Sequence, residues 1–211
     1  MIVIDAMSWI FNNSGVFFNA FNRHLLMCVL SLGIGFVIAV PLGFSVARAP
    51  RAAFAVINIA GALRSIPSLA ILSATMPFLG IGLLPSIIAL VVLAVPPLLL
   101  NTIIGIREID TSVIDAANGM GMSAGQMLRE IELPLAVPSI LSGVRTSAIQ
   151  VIGGAALASF IGGGGLGDFI NAGIAIMNMP RLLVGAVPIA LLAIFAELAF
   201  SALERVFTQR R

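Results

Sequence analysis

Five apolar stretches, each long enough to cross a bilayer, decide what this chain can fold into. A helix needs about 20 consecutive apolar residues to cross the hydrocarbon core. Residues 25–47, 85–106 and 182–202 meet that length directly. Residues 52–79 and 135–161 are longer; the first holds Arg64 and Pro67, the second Pro138 and Arg145. Each of these two reads as an interfacial lead-in followed by one span, ending near Gly80 and Gly162. Lipid offers no partner to a backbone N–H or C=O, so such runs cross as helices. The expected fold is an all-α membrane protein with a five-span core, formed by a single domain over residues 1–211. Pro96-Pro97 is expected to kink the third span. Charged residues make up only 9% of the chain, against about 25% in soluble domains, which excludes an ordinary soluble fold.

The remaining composition excludes several kinds of chemistry. The net charge of +2 is too small to point to nucleic acid. Cys28 is the single cysteine and His24 the single histidine, so neither an intrachain disulfide nor a Cys/His metal cluster is available. Residues 1–22 lack a basic start and hold Asp5, Asn12, Asn13, Asn19 and Asn22, unlike a secretory signal. Trp9, Phe11, Phe17 and Phe18 suit that segment to a short interfacial helix. His24 reads as an interfacial residue and Cys28 as inert packing.

Arginine placement gives an expected orientation. Arg48, Arg51, Arg107, Arg129, Arg205, Arg210 and Arg211 fall on one side of a five-span layout, and only Arg23 and Arg181 on the other. The positive-inside rule then puts the C-terminus and the 105–134 loop in the cytoplasm and the N-terminus outside. Arg64, Arg145 and Glu197 come to lie at similar depth in the cytoplasmic leaflet. Ions there are costly and usually face the bundle interior or a watery path. Glu197 is expected to pair with Arg64 or Arg145 near an inner gate; separate snorkelling of the three is the alternative.

The 105–134 loop carries its own folding signals. Asp110 or Thr111 can cap a short helix that stops at Gly119 or Gly121. Ser123 and Gln126 have capping-box spacing for a second helix, with Pro134 marking its end before the chain re-enters the membrane. On that second helix Met127, Leu128 and Ile131 form an apolar stripe, while Arg129, Glu130 and Glu132 are expected to face elsewhere. A compact amphipathic hairpin outside the bilayer suits a partner's groove.

The same loop resembles the signature of ABC importer permeases: Glu-Ala-Ala, three residues, Gly, nine residues, Ile-x-Leu-Pro. Here it reads Asp115-Ala116-Ala117, three residues, Gly121, nine residues, Ile131-Glu132-Leu133-Pro134. Asp for Glu at 115 keeps the charge and shortens the reach by one methylene. The resemblance covers roughly residues 20–208. It implies a permease subunit in the bacterial inner membrane, paired with a second permease, identical or homologous. It also implies a cytoplasmic ABC ATPase dimer docked on the hairpin and an extracytoplasmic solute-binding protein. ATP and Mg would be bound by the ATPase, and this chain would hold no cofactor and perform no catalysis. The residues implied to couple to the ATPase are Asp115, Ala116, Ala117, Gly121, Met127, Leu128, Ile131, Leu133 and Pro134.

Within that family the chain is most similar to permeases for glycine betaine, choline and carnitine. The likeness rests on Arg64-Ser65-Ile66-Pro67-Ser68-Leu69-Ala70, on Asn118-Gly119-Met120-Gly121-Met122 and on the Ile161–Ile170 glycine-rich stretch. An importer for another small solute, such as an amino acid, is the alternative. One Trp, no Tyr and 13 Phe make a full aromatic cage for a quaternary ammonium improbable here, which leaves selectivity mainly to the binding protein. Ser73, Thr75, Asn101, Thr102, Thr146, Ser147 and Gln150 either line a pathway or serve helix packing. Gly162-x-Gly164-x-x-Gly167 matches a dinucleotide fingerprint in letters only, because it follows a membrane span rather than a strand. Gly164 belongs either to a flexible outer loop or to an outer gate.

Overall fold

A computed structural model describes residues 2–208, and these are overwhelmingly helical. Arg210 and Arg211, counted in the charge argument, lie outside the described residues. In chain order the helices are α1 (Ile2–Asn12), α2 (Ser14–Ala47), α3 (Pro50–Arg64), α4 (Ser68–Leu79) and α5 (Leu83–Arg107). They continue as α6 (Thr111–Gly119), α7 (Ala124–Gln126), a π-helical segment (Met127–Glu132), α8 (Leu133–Leu157), a 3₁₀ turn (Ala158–Ile161), α9 (Gly167–Ala175) and α10 (Met179–Thr208).

Four of the described helical stretches are long and apolar enough to cross a membrane: Ser14–Ala47, Leu83–Arg107, Ala124–Ile161 and Met179–Phe207. The fifth expected span is broken. α3 and α4 meet at 93° across a short break. With 15 and 12 residues they reach only about 22 and 18 Å, each short of a bilayer core of about 30 Å. The cause is local: Pro67 has no N–H and disfavours helical geometry at Ile66. The lead-in expected before the fourth span is instead continuous helix from Ala124 to Ile161.

The segment expected to be interfacial divides at Asn13. α1 is a separate short helix, while Ser14 onward already belongs to the first long helix. Trp9 of α1 meets Phe169 of α9 edge to face at 5.2 Å, and the Arg181 guanidinium lies 5.4 Å from the Trp9 ring centre. Trp9 therefore anchors α1 to α9 and α10.

α5 and α8 form the centre of the bundle: about half of each apolar window is buried, 56% and 50%, against 17% for α10. Small residues allow the close approach that membrane packing needs. A Cβ on Gly143 of α8 would come within 3.2 Å of the Pro97 carbonyl of α5. A Cβ on Gly43 of α2 would press on Thr102. Several of the polar residues considered for a pathway are absorbed by packing. Ser147 donates to the Ala94 carbonyl across helices at 2.8 Å, and Thr102 and Thr146 bond back to Leu98 and Ser142. His24 is fully buried, because the glycine at 165 lets the loop lie directly over it.

Candidate functional site

The hairpin between α5 and α8 is built by local signals. Asp110 caps α6, its carboxylate accepting from the Ser112 N–H at 2.8 Å. That bond holds the Asp110 carboxyl below its ordinary value, because it favours the ionised form. α6 ends at Gly119, and Gly121 takes φ +78°, a left-handed turn that a side chain would strain. The expected capping box is present: Ser123 N–H donates to Gln126 Oε1 at 2.9 Å, and Gln126 N–H returns to Ser123 Oγ at 3.4 Å.

Pro134 does not end the second helix. The six residues before Leu133 widen into a π turn, with the Leu133 N–H bonded to the Leu128 carbonyl. A proline ring clashes with the carbonyl four residues earlier in a regular α-turn, here that of Glu130. The wider turn gives that ring room, and the helix runs on into α8.

The signature residues divide between inward and outward positions. Ala117 and Met127 are buried, and α6 packs against the π segment. Asp115, Ala116, Gly121, Leu128, Leu133 and Pro134 are exposed, and Ile131 is half-buried. Met120, at the turn, is 71% exposed and forms the tip of the hairpin's apolar surface. Met127, expected on the docking stripe, instead anchors the hairpin to its own chain.

Glu132 departs furthest from expectation. It is buried and clasped by Arg48, the residue capping the C-terminus of α2. Arg48 Nε donates to Oε1 at 2.9 Å and its Nη2 meets Oε2 at 2.6 Å, a two-pronged fork. No local sequence signal marks Glu132 for burial, because the partner that accommodates it lies 84 positions away.

The charges within the long helices also assemble. Arg145 of α8 lies 3.6 Å from Glu197 and 3.4 Å from Glu204, both on α10. The expected Arg145–Glu197 contact is thus present, with Glu204 as an unforeseen third member. Arg64 joins neither acid; it ends α3, exposed, where the bend to α4 begins. Beside the hairpin root a polar cavity of about 440 Å³ is lined by Asn101, Glu108, Asp110, Ser139, Ser142 and Glu204.

At the opposite end of the bundle the glycine stretch forms a tied turn. Arg23 Nε donates to the Gly163 carbonyl at 2.7 Å, and the Gly82 N–H donates to the Ile161 carbonyl at 2.8 Å. Gly164 takes φ +76°, and a Cβ there would meet the Arg23 side chain. Asp168, just beyond, has its carboxyl raised by burial, with the Arg23 charge acting in the opposite direction. Among the described residues no group of three or more His, Cys, Asp or Glu is placed to hold a metal ion.

Comparison with known proteins agrees with this architecture. The chain is 39% identical to the glycine betaine/carnitine/choline transport system permease protein of Bacillus subtilis, over 97% of its own length and 94% of that protein's. It is 42% identical to a carnitine transport permease protein of Listeria monocytogenes, covering 89% and 86% of the two chains. It is 32% identical to an osmoprotectant import permease protein of Salmonella typhimurium, covering 98% and 99%. Among solved structures, an inward-facing form of the MetNI methionine ABC transporter superposes with a TM-score of 0.81 at 26% identity, covering 92% of this chain and 97% of that one. The model of the family described as binding-protein-dependent transport system inner membrane component matches residues 31–210, so with this helical core and this hairpin the chain belongs to that family.

Proposed function

We propose that this chain is the membrane-spanning subunit of an ATP-driven importer for a quaternary ammonium osmoprotectant of the glycine betaine, choline or carnitine type. In this reading a second permease completes the pathway, an extracytoplasmic binding protein delivers the solute, and a cytoplasmic ABC ATPase dimer docks on the hairpin. ATP and Mg belong to the ATPase, and the permease itself performs no catalysis. The hairpin and the C-terminus face the cytoplasm, and the glycine turn faces outward. The observation that carries the reading is the exposed, internally capped hairpin of residues 110–134, in a chain about 40% identical to osmoprotectant permeases over most of its length.

In this reading distinct tasks fall along the chain. Asp115, Ala116 and the Met120 tip present one carboxylate and a small apolar surface to the ATPase. Leu128, Ile131, Leu133 and Pro134 extend that surface, and Gly121 sets the turn that shapes it. Ala117 and Met127 hold the hairpin to its own chain from within. Arg145, Glu197 and Arg64 belong to the inner gate, and Gly164 to the outer one.

Solute-dependent hydrolysis tests the assignment. The chain reconstituted with its native ATPase and binding protein is expected to show ATPase stimulation by betaine, choline or carnitine, and none by amino acids. Stimulation by an amino acid alone would move the chain to the amino-acid importers. No stimulation by any solute would remove the transport reading.

A further inference from the structure

We infer that Arg48 is a positioning residue for energy coupling: its fork on Glu132 ties the hairpin root to α2, which carries hairpin motion to the glycine turn at the far end. This rests on the proposed docking of an ATPase on the hairpin. The joint sits where such motion must pass. Glu132 is the last residue of the π segment, between the hairpin and α8. A π turn inside an α-helix is a rare, locally widened element found often at functional sites. Left free, it would absorb a displacement of the hairpin by re-forming its bonds.

The fork removes that freedom. Two donors of a planar guanidinium on two carboxylate oxygens fix orientation as well as distance. The Glu132 side chain is only 6% exposed, whereas that of Arg48 is 49% exposed. The pair therefore closes a buried joint from its rim. α2 spans 34 residues, about 51 Å at 1.5 Å per residue. Nearer its other end Arg23 holds the Gly163 carbonyl. One helix is thus held at two arginines 25 residues apart, about 38 Å along it, to the hairpin root at one and to the glycine turn at the other. Between these points it packs along α5, which in turn packs on α8. A hairpin displacement that reaches Glu132 is delivered to α2 as well as to α8.

The test is the number of solute molecules moved per ATP hydrolysed by the complete reconstituted complex. Glu132→Gln and Arg48→Gln are expected to lower that ratio at least about fivefold, the lower end of typical coupling between sites, while hydrolysis stays within about twofold of the unmodified complex. The exchange Arg48→Glu with Glu132→Arg is expected to recover part of the loss. A role in folding alone would reduce assembly, transport and hydrolysis together at an unchanged ratio, and that result would overturn the inference, as would an exchange variant no better than the single ones. Should the glutamine variants not assemble, Arg48→Lys keeps the charge but loses the fork; a normal ratio there also overturns it. The transport reading fails separately, in the unmodified complex, if no solute stimulates hydrolysis.

Discussion

Arg145 is shared by two carboxylates, and that sharing sets what its loss does. Removing Glu197 leaves the Arg145 contact with Glu204 in place, whereas removing Arg145 breaks both contacts to α10. Arg145→Gln is therefore expected to be the more damaging change. In a double-mutant cycle with Glu197→Gln, thermal unfolding of the purified complex should show a coupling of about 0.5–1 kcal/mol, typical of partly exposed pairs. Additive losses in both unfolding and transport would remove the Arg145–Glu197 pairing. Gly164 carries a different kind of constraint. Its φ of +76° and the Arg23 side chain against it both oppose a β-branched residue. Gly164→Val is expected to cost about 1–2 kcal/mol in backbone strain alone. It should also displace Arg23 from the Gly163 carbonyl and lower uptake several-fold. Unchanged uptake would show that the tied turn has no part in gating.

At the scale of elements, the crossing of α5 and α8 depends on what is missing. A Cβ added to Gly143 would lie 2.9 Å from the Asn101 Cβ and 3.3 Å from the Leu98 Cα, and backbone cannot move aside as a flexible side chain can. Gly143→Ala should therefore lower stability by about 1–3 kcal/mol. Gly153, ten residues along the same helix, has nothing within 4 Å of a built Cβ, and Gly153→Ala should be neutral or stabilising by up to about 1 kcal/mol. Thermal unfolding in detergent compares the two; equal effects would mean that helix propensity rather than the crossing decides. Elements specified by neighbouring residues were legible in the sequence. The hairpin is the clearest case, since Asp110, Gly121 and the Ser123–Gln126 box act within a few residues of themselves. What depended on distant contacts was not. Pro67 announces a break, but no residue near it announces the 93° at which α3 and α4 meet. Pro134 reads as a stop, yet the π turn before it lets the helix continue. Arg48 and Glu132 are 84 positions apart, and nothing local marks them as partners.

For the whole molecule, the two ends of the bundle differ in kind, and orientation follows from which end meets which partner. One end carries the hairpin, the Arg48–Glu132 fork and the polar cavity at the hairpin root. The other carries the tied glycine turn, α1 and the short connection from α4 to α5. In the proposed orientation, which rests on the positive-inside rule, the first end faces the cytoplasm. A single-cysteine labelling experiment tests this with little background, because Cys28 is buried and can first be replaced by serine. Met120, 71% exposed at the hairpin tip, and Phe78, 87% exposed near the end of α4, are suitable reporters of the two ends. With a membrane-impermeant maleimide, Met120→Cys should label in inside-out vesicles and remain unlabelled in right-side-out ones. Phe78→Cys should show the reverse. Adding the ATPase should then protect Met120→Cys and leave Phe78→Cys unaffected, since only the hairpin end is proposed to dock it. Labelling of Met120→Cys from the outside would invert the topology and, with it, place the glycine turn rather than the hairpin next to the ATPase.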